Sequence, residues 1–409
     1  MKENDLIIIG AGASGLMAAL SANENGIMPI ILEKNNRIGK KILVTGNGRC
    51  NYTNVLLTKN DYNKPDFVEK VLSKFGPQET VDYFESLGIV PKIENDGKTY
   101  PMSEQASSFL DVFLYELNKR NIKIELNQAV TNITKNKDVF AINTVEGKKY
   151  FAKRVIFCVG GSSMPLTGSN GSGYEIVERL GHNITHIFPA LVKLKLESPY
   201  LKQLSGVKIN SQVDLMLDNE VIQSENGDIL FTNYGISGPT ILELSRKANE
   251  LINLNKKPAL KVILIQNVSK SKVIERFENA GEKEIGQGLI GLLNKRFINV
   301  LIKEAEIEKV NLLVNEIPKK NIYKLIDLLY DWRFVIKGSL GFEESQVTAG
   351  GINLDDVDNL TLESKIIKGL YFAGEILDID GRCGGYNLQW AWSSGYVAGK
   401  RASKSDEND

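Results

Sequence analysis

Gly10-x-Gly12-x-x-Gly15 closes an apolar run, Leu6-Ile7-Ile8-Ile9, and opens a stretch in which Leu16, Met17 and Leu20 recur at helical spacing. In the order strand, glycines, helix, each glycine has its own task. Gly10 makes the turn, Gly12 lets backbone N–H groups approach a pyrophosphate, and Gly15 lets helix and strand pack closely. The helix begins at Ala13 and Ser14, where its dipole puts partial positive charge under the phosphates. Glu33 lies eighteen residues beyond Gly15, at the end of a second apolar run, Pro29-Ile30-Ile31-Leu32. It is placed to accept hydrogen bonds from ribose hydroxyls and to repel a 2′-phosphate, so NADP is disfavoured there.

Three more segments are rich in glycine. Gly39 to Asn51 carries Lys40, Lys41, Thr45, Gly46, Gly48, Arg49, Cys50 and Asn51. Such a loop wraps phosphate or flavin with backbone donors, while Lys40, Lys41 or Arg49 offers positive charge to a pyrophosphate or a reduced flavin. Val155 to Val159 empties into Gly160-Gly161, and Leu370 to Phe372 into Ala373-Gly374-Glu375. Strand ends of this kind late in a chain are the habit of FAD proteins of the glutathione-reductase type, and segments converging from so far apart favour the longer cofactor. Asp380 to Gln389 ends at a helix start, so backbone N–H groups near Gly385, Tyr386, Asn387 and Leu388 face the flavin pyrimidine, where negative charge develops on reduction. A second Gly-x-Gly-x-x-Gly, Gly286 to Gly291, follows polar residues rather than a strand and is read as structural. NAD(P)H is then a transient visitor at the flavin or plays no part.

Catalytic groups are not assigned. Flavin carries hydride transfer itself, so no acid–base pair is required of the protein. His182 and His186, the only histidines, sit after a helix and read as a helix-end feature. Cys50 and Cys383 each follow Gly-Arg but lack the close spacing of a redox pair, and are read as plain buried thiols. Arg49, Arg382 and Tyr386 are the candidates for substrate contact. No metal site is assigned.

The elements that must position these groups follow from the whole chain of 409 residues, 42% hydrophobic and 24% charged, which suits two or three folded domains. Buried strand, turn, helix and second buried strand within about thirty residues make a βαβ unit and a parallel sheet. Ile122 to Val159 reads as an antiparallel meander with a turn at Glu146-Gly147-Lys148. The expected architecture is α/β: a Rossmann-like FAD-binding domain, discontinuous over 1–189 and 336–409, around an insert over 190–335. The insert has a β-rich part, 190–267, and a helical part, 268–335. The tail from Lys404 reads as disordered. Fifty Lys and Arg balance fifty Asp and Glu, which argues against a broad hold on nucleic acid or an anionic membrane. No run approaches the roughly 20 apolar residues of a membrane span, the N-terminus lacks a signal-like core, and three scattered cysteines fit a reducing compartment. A cytoplasmic protein is expected.

Taken together, these motifs resemble the NAD(P)/FAD-dependent oxidoreductases of the aminoacetone-oxidase and BaiN type. The resemblance runs through Gly10 to Gly15, Thr45 to Asn51, Leu230-Phe231-Thr232 with Gly235-Ile236-Ser237-Gly238-Pro239, Val347 to Gly351, and Ala373-Gly374-Glu375 with Gly385 to Gln389. It implies non-covalent FAD and a hydride passed between flavin N5 and a small amine or unsaturated ketone. NAD(P)H or O₂ is the implied electron partner. The expected cofactor set is Gly10, Gly12, Ala13, Ser14 and Gly15 at the first turn, Glu33 and Lys34, Lys41, Thr45, Gly46, Gly48, Arg49, Cys50 and Asn51 in the next loop, Val130, Gly160 and Gly161, Gly374 and Glu375, and Gly385, Tyr386, Asn387 and Leu388. Two other functions stay open: a flavin protein that works on RNA, and a non-catalytic FAD binder. Against the first stand the neutral charge and the shortness of the basic pair Lys319-Lys320, with Glu316 beside it.

Overall fold

A computed structural model describes residues 3–404 and divides them into two compact units, one reaching Pro189 and resuming at Phe342, the other Ala190–Gly341. Of the tail expected to be disordered from Lys404 on, all but Lys404 itself lies outside the described residues.

The first unit is built on a seven-stranded sheet. Its central strand, Glu3–Ile9, runs parallel to Ile30–Leu32 on one side and to Lys149–Phe157 on the other. Lys123–Glu125 extends the sheet in parallel beyond Ile30–Leu32, and Leu370–Phe372 pairs in parallel with Val155 to Phe157. Leu6 to Ile8, Val155 to Phe157, Leu370 and Phe372 are fully buried, as strands with both faces covered must be. The antiparallel meander is shorter than the sequence pattern suggested: Val130–Asn136 and Val139–Thr144 join it, whereas Lys123–Glu125 belongs to the parallel sheet. That short edge strand alternates charge with one isoleucine, a texture parallel and antiparallel edges share.

The first helix, Ala13–Glu24, packs along the C-terminal helix, Tyr386–Ala402. A methyl group on Gly395 would stand 2.3 Å from the Ser14 carbonyl oxygen, and one on Gly399 2.4 Å from that of Ala18. Only hydrogen at those two positions lets the helix backbones touch.

The second unit is a closed six-stranded antiparallel barrel: Leu194–Leu196, Gly235–Ser237, Glu220–Phe231, Lys208–Leu217, Ala259–Ile263 and Trp332–Ser339, the last pairing back to the first. Closure removes the edges that open sheets must protect. The helices Lys270–Glu278, Lys295–Glu304 and Lys319–Tyr330 follow the fifth strand. The expected boundary at 335 falls inside the last strand, and the unit runs on to Gly341. Trp332, Phe334 and Ile336 point inward while Arg333, Val335 and Lys337 point out, so this strand closes the barrel after the helices. Phe231, Phe297, Trp332 and Phe334 form its aromatic centre. Of the second glycine motif, Gly286 and Gly288 lie in the short helix Ile285–Leu289, packed against Val310 and Phe277. Among the described residues no helix is long and apolar enough to cross a membrane.

Candidate functional site

The glycine turn after the first strand has three distinct environments. Gly10 has φ +101°, and a side chain there would strike the Cys158 carbonyl oxygen at 2.3 Å. A methyl on Gly15 would stand 1.9 Å from the Gly10 carbonyl oxygen. Gly12 differs: its φ of −82° suits any residue, and nothing lies within 4 Å of where a side chain would begin. Gly10 and Gly15 are glycine because protein fills the space; Gly12 faces open space that a ligand can fill. Gly12 also caps the first helix without a side-chain bond, leaving first-turn N–H groups to whatever sits there.

These residues form one wall of a cleft that is partly open to solvent. Of the expected set, Gly10, Gly12, Ala13, Ser14, Glu33, Lys34, Lys41, Thr45, Val130, Gly160, Glu375, Asn387 and Leu388 line it, and Lys40 lies with them. Glu33 is 6% exposed, accepting from the Ala11 N–H at 2.7 Å through one oxygen and from the Asn35 backbone and side chain, each at 2.7 Å, through the other. It ties down the glycine turn and keeps a lone pair on the first oxygen.

The others stand behind the wall. Gly15 packs under the turn. Gly161 lies against the Thr348 hydroxyl, and Gly374 against Ser14, whose hydroxyl donates to the Ala373 carbonyl at 3.3 Å. Gly46 packs on the Asn51 backbone, and the Gly48 carbonyl accepts from Ala106. Asn51 accepts from the Thr99 N–H, and Gly385 touches the Thr53 carbonyl while capping the C-terminal helix, again with no side-chain bond. The Tyr386 carbonyl accepts from the Tyr62 hydroxyl at 2.8 Å.

Arg49 is not a cleft cation. Its guanidinium lies 4.2 Å from the Tyr100 ring centre, 3.1 Å from Glu104 and 3.4 Å from Glu94, a cluster outside the cleft lining. Lys41 lines the cleft, yet its ammonium is committed to Glu375 at 2.6 Å, and Glu375 also accepts from the Thr348 N–H at 2.8 Å. The pair joins the loop after the second strand to the strand end Ala373-Gly374-Glu375. Lys40 donates to Asn35 at 3.1 Å and Lys34 to Asn170 at 2.7 Å. Burial pushes the Lys34 ammonium below the ordinary lysine range, with neighbouring Glu33 opposing.

His182 is buried in the protein interior, one ring nitrogen 2.7 Å from the Ser364 hydroxyl and the other 3.3 Å from the Val177 carbonyl. Burial lowers its pKa, and it does not line the cleft. Cys50 is fully buried, its thiol pushed up to about 12 by desolvation; Cys158 is buried and shifted likewise, whereas Cys383 is half-exposed, contrary to the reading of it as buried. An aromatic disulfide reagent is therefore expected to titrate one thiol, Cys383, in the native chain and three after unfolding. Rapid loss of the native Cys50 thiol would contradict the buried environment.

Sequence reasoning passed over Asn35, Thr167, Gly168, Ser169 and Gln346, which also line the cleft. The signal for two of them, Gly168 and Ser169, was the polar glycine loop Gly168 to Gly173, which carries no mark of burial in its composition.

A dinucleotide fits what is here: open space at Gly12, two helix starts without side-chain caps, and, in Ser169 of the cleft lining, a buried hydroxyl with no protein partner. The fold and cleft define a Rossmann-type, FAD-dependent oxidoreductase. The chain belongs to the HI0933-like protein Rossmann domain family, whose pattern matches residues 4–401. It is 36% identical to a 3-dehydro-bile acid delta(4,6)-reductase of Clostridium scindens, over 98% of this chain and 99% of that one. It is 30% identical to a ribosomal RNA dihydrouridine synthase of Escherichia coli, over 97% of each. A solved 3-ketosteroid delta1-dehydrogenase from Sterolibacterium denitrificans superposes with a TM-score of 0.51 at 12% identity, covering 98% of this chain and all of that one, a likeness of fold.

Proposed function

We propose that this enzyme reduces a carbon–carbon double bond conjugated to a carbonyl in a small, largely apolar ketone. The observation that carries the reading is the cleft, with its open glycine turn and its second uncapped helix start, in a chain 36% identical throughout to a reductase of such a ketone. The double bond gains a hydride at the carbon β to the carbonyl and a proton at the α carbon. FAD, when bound, supplies hydride transfer at N5. Gly10, Gly12, Ala13 and Ser14 hold the pyrophosphate, and Glu33 holds a ribose. The start of helix Tyr386–Ala402, with Asn387 and Leu388 on the cleft wall, directs N–H dipoles to where negative charge gathers on reduction. The Lys41–Glu375 pair ties together two loops of the cleft wall and would hold them in place against a bound flavin. NAD(P)H is the proposed electron donor.

In an anaerobic experiment, the chemically reduced, FAD-loaded protein is mixed with a conjugated steroid dienone, its saturated analogue, or unmodified ribosomal RNA. The dienone is expected to restore the oxidised flavin spectrum at least about tenfold faster than the saturated ketone. The second reading, reduction of a uracil ring in RNA, is favoured by the full-length match to the dihydrouridine synthase. Reoxidation by RNA and not by the dienone would replace the first reading with the second.

A further inference from the structure

The loop Gly168 to Ser172 is the part of the cleft that the cofactor motifs leave unexplained. Ser169 is 6% exposed, lines the cleft, and holds a hydroxyl with no protein partner, a state that is costly unless something binds it. It is built into place: Gly160, at φ +74°, leaves just enough room for that hydroxyl, which a methyl there would meet at 2.9 Å.

The next residue reaches across. Asn170 accepts at one side-chain oxygen from the Lys34 ammonium at 2.7 Å and from the Ser172 hydroxyl at 2.8 Å. One step earlier, Asn35 donates to the Thr167 carbonyl at 3.2 Å, and Gly168 lies so close that a side chain would strike the Asn35 amide at 2.4 Å. Two loops more than 130 residues apart in sequence therefore meet beside Glu33, the residue proposed above to hold a ribose. Lys34 is half-buried and has no carboxylate within ion-pair distance among the described residues; its hydrogen-bond partner is the neutral Asn170 amide, and Glu33 beside it acts only through space. Burial favours its neutral form, and an anion arriving in the cleft would restore the charged one.

We propose that the loop Gly168 to Ser172 is a clasp on the adenosine half of FAD, in which Ser169 bonds the dinucleotide directly and the Lys34–Asn170 bridge closes over it. The inference rests on FAD being the occupant of the cleft. The clasp governs how long the cofactor stays, because the bridge must open for a bound dinucleotide to leave.

The test is the rate of FAD release, followed by the rise of flavin fluorescence after dilution into an excess of a flavin-capturing apoprotein. Ser169→Ala, Lys34→Ala, Asn170→Ala and the double variant Lys34→Ala/Asn170→Ala are compared with the unmodified protein. Ser169→Ala is expected to release FAD about fivefold to tenfold faster, the worth of one hydrogen bond. The two bridge variants are each expected to accelerate release several-fold, and the double variant no more than either alone, since both remove one contact. A purely structural loop would instead lower the melting temperature of the apoprotein without selective change in release. Release at the unmodified rate from Ser169→Ala, or additive effects in the double variant, would overturn the clasp. If the unmodified chain takes up no FAD, the cofactor assignment fails instead, so the two failures are distinct.

Discussion

Gly12→Asp is expected to yield a chain that folds as well as the parent and holds no FAD. The two halves of that result have separate causes. Gly12 has φ −82° and ψ −171°, the extended conformation of a helix cap, and nothing stands within 4 Å of its missing side chain. Asp is among the best residues at a helix N-cap and Gly is somewhat poorer, so the apoprotein should melt at the parent temperature or slightly above it. The new carboxylate occupies the space the turn keeps open for phosphate, and it neutralises the helix start that would attract a pyrophosphate. Steric exclusion and like-charge repulsion together are expected to weaken FAD at least about 1,000-fold, which is about 4 kcal/mol. The checks are the visible spectrum of the purified chain, a titration with added FAD, and the melting curve of the apoprotein. Retained flavin bands would remove the glycine turn from the cofactor site; a collapsed melting temperature would mean that the space at Gly12 is not open.

Glycine patterns and buried strands were legible because each leaves a one-dimensional trace. A strand covered on both faces reads as a continuous apolar run, and Leu6 to Ile9, Val155 to Val159 and Leu370 to Phe372 are three such runs, the first two ending at glycines that line the cleft, Gly10 and Gly160, and the third at Ala373-Gly374 behind its wall. Strand Trp332–Ser339 was hidden because its exposed face carries Arg333 and Lys337, which blend with the charged helices before it. Arg49 was misread for a different reason. A basic residue in a glycine loop looks the same whether it faces phosphate or, as here, Glu94, Glu104 and Tyr100, which come from 45 to 55 residues away. Lys41 shows the same blindness at greater range, its partner Glu375 being 334 residues distant. Ser169 was passed over because burial of a polar loop is a tertiary fact: the residues that enclose it, Gly160 among them, are not its neighbours in sequence. What the chain conceals is pairing and burial of polar groups, and most of what distinguishes this cleft is of that kind.

Gly395→Ala is expected to do the reverse of Gly12→Asp: to damage the fold first and the cofactor site as a consequence. The added methyl would meet the Ser14 carbonyl oxygen at 2.3 Å and the Ser14 backbone at about the same face. Backbone on both sides cannot rotate away, so the first and last helices must separate. Overpacking in a close-packed interior costs typically 1–3 kcal/mol, and a clash with main chain belongs at or above the top of that range. For a unit of this size that is on the order of 10 °C in the transition that releases flavin. The route to the site is short. Ser14 lies on the cleft wall and bonds the Ala373 carbonyl, while Gly374, packed on Ser14, accepts from the Trp390 indole and donates to the Ser394 hydroxyl. Displacing Ser14 therefore loosens the strand end that carries Glu375, and FAD should be held less tightly even well below the melting transition. Gly399→Ala repeats the clash one helical turn on, at 2.4 Å from the Ala18 carbonyl oxygen. Once one methyl has pushed the helices apart, the second meets less resistance, so the double variant should lose less stability than the two single losses combined. Full additivity would mean that each glycine is accommodated locally and that the two helices do not move as rigid bodies. A parent-like melting curve for Gly395→Ala would refute the close helix contact itself.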